Sequence, residues 1–102
     1  MNTPNEPDGG LIEAAHYEDA ERFYLALVRD DPAVAQFNLG RIQHARGRMA
    51  RAEQHFWRAL RVGAGYPGIR DWIADCRLIR GDAEGALKLA QKAAELGSDT
   101  AL

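Results

Sequence analysis

Slid against itself by 34 residues, the chain falls into register with itself. Leu39 lands on Ile73, Gly40 on Ala74, Arg46-Gly47 on Arg80-Gly81, and Ala52 on Ala86. Arg58 lands on Lys92, Ala59 on Ala93 and Gly63 on Gly97. A shift of 32 brings in the first third, with Ala20 on Ala52, Tyr24 on Phe56, Leu27 on Ala59 and Val28 on Leu60. A repeat of this length is one supersecondary unit that cannot bury its apolar face alone, so successive copies must stack. The chain therefore holds three copies of one pattern, the first without its front half.

Each full copy reads as two helices. From Ala33 to Arg46, apolar residues at 34, 37, 39, 42 and 45 form a helical stripe. Pro32 suits its start and Gly47 a left-handed C-terminal cap. Arg48 to Val62 follows, with Met49, Ala52, Phe56, Ala59 and Leu60 at spacings of three and four, closed by Gly63 and Gly65. The last copy carries Ile69, Trp72, Ile73 and Cys76, turns at Gly81-Asp82, and continues with Leu87, Ala90, Ala93 and Ala94 to a stop at Gly97. The first copy supplies one helix, roughly Leu11 to Asp30, with Tyr17, Ala20, Tyr24 and Leu27 on its stripe. Ala is abundant and β-branched residues are sparse, which favours helix. The expectation is an all-α chain of five helices. Gly40, Ala52, Ala59, Ala74, Ala86 and Ala93 mark close helix approaches, and Tyr24, Phe56 and Trp72 fill the gaps between layers.

This pattern resembles the tetratricopeptide repeat, whose 34-residue unit reads W-x2-L-G-x2-Y, then A-x3-F, then P. "NLG" at 38–40 matches the Leu-Gly pair, "AEQHF" at 52–56 the A-x3-F spacing, and "YEDAERFYLALVRDDP" at 17–32 a complete second helix with its closing Pro32. The likeness covers residues 11–97. Departures are Gln36 for the Trp, Gln43 for the Tyr, Ala90 for the last aromatic, and no final Pro. "KAAELG" at 92–97 and "AQFNLG" at 35–40 are also similar to Sel1-type repeats. The resemblance implies a short right-handed α-solenoid of antiparallel helix hairpins, two and a half repeats long. Residues 1–10 are read as a disordered tail and 98–102 as a short C-terminal tail.

The family's binding surface is the concave groove lined by the first helix of each pair. Carried onto this sequence, that groove holds Val34, Phe37, Asn38, Arg41 and His44 on one helix. Gly68, Asp71, Trp72, Asp75 and Ile79 lie on the next. The family's carboxylate clamp uses Lys, Asn and Arg; only Asn38 occupies a matching place, so that clamp is not expected. Arg41 opposite Asp71 and Asp75 suits a peptide or amphipathic helix of mixed charge.

Residues 41–61 carry six arginines against Glu53, whereas residues 1–33 carry eight acids against two arginines. Arg48, Arg51, Arg58 and Arg61 fall off the apolar stripe and are read as a solvated face, partly paired with Glu18, Asp19 and Glu21. A nucleic-acid partner would want a net basic domain with exposed aromatics; the net charge is −2 and the aromatics are spaced as core. No apolar run spans a bilayer. The first ten residues lack the basic and apolar regions of a signal peptide. A cytoplasmic protein is the expectation. His16, His44 and His55 sit on three different helices and no Gly-rich phosphate loop is present, so neither catalysis, metal nor cofactor is expected. Cys76 lies on an apolar stripe and reads as a buried structural thiol.

Repeat stacks normally carry polar caps at both ends. Here Leu87, Leu89 and Leu96 on the last helix have nothing after them to cover them, and uncovered apolar faces associate. The expected function is a protein-interaction module, an adaptor, assembly factor or small chaperone. The alternative is a homodimer or scaffold formed through the end helices. Small chaperones of bacterial secretion systems are similar in size and repeat type, an analogy at fold level.

Overall fold

Five helices make up a computed structural model that describes residues 14–63 and 68–101. They are α1 (Ala14–Leu27), α2 (Pro32–Ala45), α3 (Met49–Arg61), α4 (Ile69–Ile79) and α5 (Ala83–Ala101). No strand occurs among the described residues. The all-α expectation holds, and each helix packs on the next in the chain. The expected tail at 1–10 and Gly65 lie outside the described residues.

The boundaries follow from local chemistry. Asp31 caps α2 by accepting the Val34 N–H at 3.3 Å, and Pro32 opens the helix where a missing N–H costs nothing. At the other end Gly47 takes φ 78°, donating its N–H to His44 O at 3.0 Å while Arg48 donates to Gln43 O at 2.8 Å. The turn at Gly81 repeats this 34 residues later: φ is 92°, Gly81 donates to Leu78 O at 3.0 Å and Asp82 to Arg77 O at 2.7 Å. Both are Schellman ends, in which a residue without a Cβ bends the chain back and satisfies the last carbonyls. The expected stop at Gly97 is corrected: α5 runs on to Ala101, so residues 98–101 are helix and not a tail. A lone Gly that keeps helical backbone costs only about 1 kcal/mol and does not end a helix.

The core gathers where α3 meets α4. Ala52, Phe56 and Ala59 from α3 and Ile69, Ile73 and Cys76 from α4 are buried together. Phe37, Met49, Trp57, Leu60, Trp72 and Leu89 are partly buried around them. Leu39 and Ile42 of α2 are 1% exposed. Gly40 explains how α2 and α3 come so close. A Cβ there would lie 2.6 Å from the Phe56 ring, and Phe56 is fully buried.

Glutamates on α1 and α3 each fasten one helix to another. Glu21 of α1 accepts the Gln43 amide at 2.8 Å and pairs with Arg46 at 3.5 Å. Arg46 also lies over the Tyr17 ring at 5.7 Å. Glu53 of α3 is 8% exposed and accepts from Trp57 Nε1, Arg77 Nε and Arg80 Nη1 at 3.2, 3.0 and 2.9 Å. A buried charge is tolerable only when paired in this way.

Candidate functional site

The face shared by α2 and α4 collects most of the polar groove residues named from the sequence. Ring–ring contact sets their spacing. Trp72 stacks on the buried Phe56 with centroids 5.5 Å apart, and Phe56 meets Phe37 at 6.0 Å. Trp72 is thus half core and half surface. Its ring stands perpendicular to that of His44, with centroids 5.0 Å apart. The Arg41 guanidinium lies 5.9 Å from the centroid of the Phe37 ring and 5.9 Å from that of the Trp72 ring, within cation–π range of both.

His44 and Asp75 close this face. The His44 Nε2–H donates to Asp75 Oδ2 at 2.6 Å, linking α2 to α4 across 31 residues of sequence. The His44 side chain is 22% exposed and that of Asp75 48%, so the pair is reachable from solvent. Beside it, Gly68, Asp71, Trp72 and Asp75 line an open cavity of about 300 Å³. The arrangement offers a cation near two aromatic rings, an acidic edge and a partly covered indole. Such a surface suits segments that bring both charges and an apolar side chain.

Asn38 contributes less than its position suggests. Its amide donates to Val34 O at 2.9 Å, one turn back on the same helix, so the side chain is turned along α2. Val34 is half-buried at the start of α2, and Phe37 packs on the core. Ile79 is 56% exposed and does not line the cavity. The proposed end-face leucines separate. Leu87 and Leu96 are exposed, whereas Leu89 is turned to the core cluster.

The arginines divide as well. Arg48, Arg51, Arg58 and Arg61 are all exposed, as an off-stripe position implies. Of the three acids proposed as their partners, Glu21 pairs with an arginine of this segment, Arg46, and Asp19 pairs with Arg22 in its own helix at 3.4 Å. The sequence reading missed Glu53 and its two arginines. The available signal was its place in the repeat, since a 34-residue shift sets Glu53 on Leu87, a position of the apolar pattern.

Among the described residues, His55 and Cys76 have shifted proton affinity. Burial, together with the Arg58 cation, lowers the His55 pKa below its usual 6.5; its Nδ1–H meets Gln36 Oε1 at 2.8 Å. Burial first, then the Glu53 and Asp75 carboxylates, push the Cys76 thiol up to about 11. A thiol held neutral in this way is a poor nucleophile. Among the described residues no group of three His, Cys, Asp or Glu could hold a metal ion. None of the described helices is long and apolar enough to cross a membrane. Comparison with protein-family models, with curated proteins and with solved structures gives no match to this chain.

Proposed function

We propose that this chain is a protein-interaction module, a short solenoid of tetratricopeptide-like hairpins that holds a peptide or helix of a partner against α2 and α4. The observation that carries this reading is the Arg41 guanidinium 5.9 Å from both the Phe37 and the Trp72 ring, with Trp72 also lining the cavity edged by Asp71 and Asp75. A cation near two aromatics and an acidic rim reads a mixed-charge segment by geometry and sign at once. The twin Schellman turns at Gly47 and Gly81, and the stacking of each helix on its chain neighbour, support the solenoid. In that arrangement α2 and α4 are the first helices of successive hairpins, and the mixed-charge face is their common inner surface.

The test is a double charge reversal, Arg41→Glu with Asp75→Arg. Immobilised full chain is challenged with an extract of its source cell, and retained protein is identified by mass spectrometry. The reversal should abolish retention while the helical circular dichroism stays unchanged. A partner retained equally by both forms would sink the groove reading.

A further inference from the structure

We infer that the outer trough between α4 and α5 is a seat for one further amphipathic helix, supplied by a partner protein, that brings a basic edge and a bulky aromatic. The chain already contains an occupied seat of the same kind. There α4 lies against α2 and α3: Ile69, Ile73 and Cys76 bury with Ala52, Phe56 and Ala59. Trp72 meets Phe56 and His44, Asp75 meets His44, and Arg77 and Arg80 meet Glu53.

A shift of 34 residues carries that seat onto the α4–α5 face. On the α2 wall, Phe37, Gly40, Arg41 and His44 become Asp71, Ala74, Asp75 and Leu78. On the α3 wall, Met49, Ala52, Glu53 and Phe56 become Ala83, Ala86, Leu87 and Ala90. These two sets together line an open cavity of about 410 Å³. Leu78 and Leu87 at its rim are 58% and 59% exposed. One seat is filled by the chain itself; among the described residues its copy stands open, with largely apolar walls and an acidic rim.

The differences between the two seats define the occupant. Where the first seat sets Arg41 against Trp72, the second sets Asp75, which calls for a basic side chain. Where the first sets His44 against Asp75 and Glu53 against Arg77, the second sets Leu78 and Leu87, which call for apolar ones. Where the first seat is filled from below by the Phe56 ring, the second has Ala90, and the missing ring volume must come from the occupant. A second copy of this chain fits poorly. Its α1 exposes Phe23 and Leu25, but the same helix carries Glu18 and Asp19, acids that the Asp71–Asp75 rim disfavours. The seat shares the Asp71–Asp75 rim with the α2–α4 groove, so Arg41→Glu alone, at a residue outside the seat, separates the two readings.

The probe is a fluorescein-labelled peptide of residues 68–81 carrying Trp72→Arg, Asp75→Leu, Cys76→Phe and Arg77→Leu, with the unaltered 68–81 peptide as control. Anisotropy titration against the full chain should show saturable binding of the altered peptide, at least roughly tenfold tighter than the control. Leu87→Arg and, separately, Ala90→Trp should each weaken it by roughly tenfold or more. Both positions are exposed, so the variants keep their helical signal. Arg41→Glu, which tests the groove, should leave it within about twofold. No saturable binding, equal affinity of the two peptides, or indifference to Leu87→Arg overturns the proposal. So does a concentration-dependent dimer in light scattering that Leu87→Arg makes monomeric, since the seat would then belong to a second copy.

Discussion

Arg77 reaches the buried Glu53 with two nitrogens at once, Nε and Nη2 each 3.0 Å from Oε2, while Arg80 takes the other oxygen at 2.9 Å. One carboxylate on α3 therefore fixes both the distance and the register of α4. The apolar face of α4 would tolerate small rotations; a forked contact to one oxygen does not. Since α4 also carries Trp72 and Asp75, this ion cluster on one side of the helix sets the geometry of the face on the other.

Removing Glu53 should therefore destabilise the fold and loosen the face together. Arg77 and Arg80 are 31% and 48% exposed and can turn to water, so the loss falls below that of a fully buried pair. Glu53→Ala should cost about 2 kcal/mol in urea unfolding. A double-mutant cycle with Arg77→Ala should return a coupling of about 1 kcal/mol. Zero coupling would mean that Arg77 only happens to lie near the carboxylate.

Gly40→Ala should destabilise despite the better helix propensity of Ala. The added methyl would meet the Phe56 ring at 2.6 Å, and Phe56 is fully buried with no free direction to move. Overpacking of this kind costs about 1–3 kcal/mol, against about 1 kcal/mol gained in the helix. Thermal melts should show a lower Tm, and Phe56→Leu should recover part of the loss by withdrawing the ring. A Tm equal to or above that of the parent would show that α2 and α3 can part at no cost.

The helices were legible because the apolar spacing near 3.6 residues survives in every copy, and because Gly47 and Gly81 mark equivalent turns. The polar clusters were not. Glu53 sits among exposed arginines in the sequence, and its partners lie 24 and 27 residues ahead on another helix. No local pattern connects them. Leu89 was misplaced for a related reason. It is two residues from Leu87, and at helical pitch that separation turns a side chain through more than half a circle, from the rim to the core. The α2–α4 face was half legible: Arg41, His44, Asp71 and Asp75 were named, but the His44–Asp75 bond and the stacking of Trp72 on Phe56 depend on how the copies pack.

The depressed His55 pKa gives an acid-side prediction. Below pH 6.5 the unfolded chain binds a proton that the native chain refuses, so stability is complete above that pH and is lost as pH falls. Arg58 is exposed and contributes through its charge. In Arg58→Gln the His55 midpoint, followed by NMR of the imidazole, should move up yet stay below 6.5, because burial is the larger cause. An unmoved midpoint would remove Arg58 from the account.

Cys76 gives the alkaline counterpart. Its side chain is fully buried, and its thiol holds its proton up to about pH 11 against an ordinary value of 9.0. Between these values the unfolded chain releases the proton and the native chain keeps it. Native protein then binds more protons than unfolded, so stability falls as pH rises through this window. Lys and Tyr side chains titrate nearby, so the comparison must be with Cys76→Ala. That variant should be less stable at pH 8 because it leaves a small void. The gap between the two proteins should then narrow by an amount on the order of 2 kcal/mol as pH approaches 11. Labelling by an aromatic disulfide at pH 8 should proceed only as fast as the chain opens, and should slow when a seated helix stabilises the fold. Labelling at the rate of a free thiol would place Cys76 at the surface and refute the packing of α4 described above.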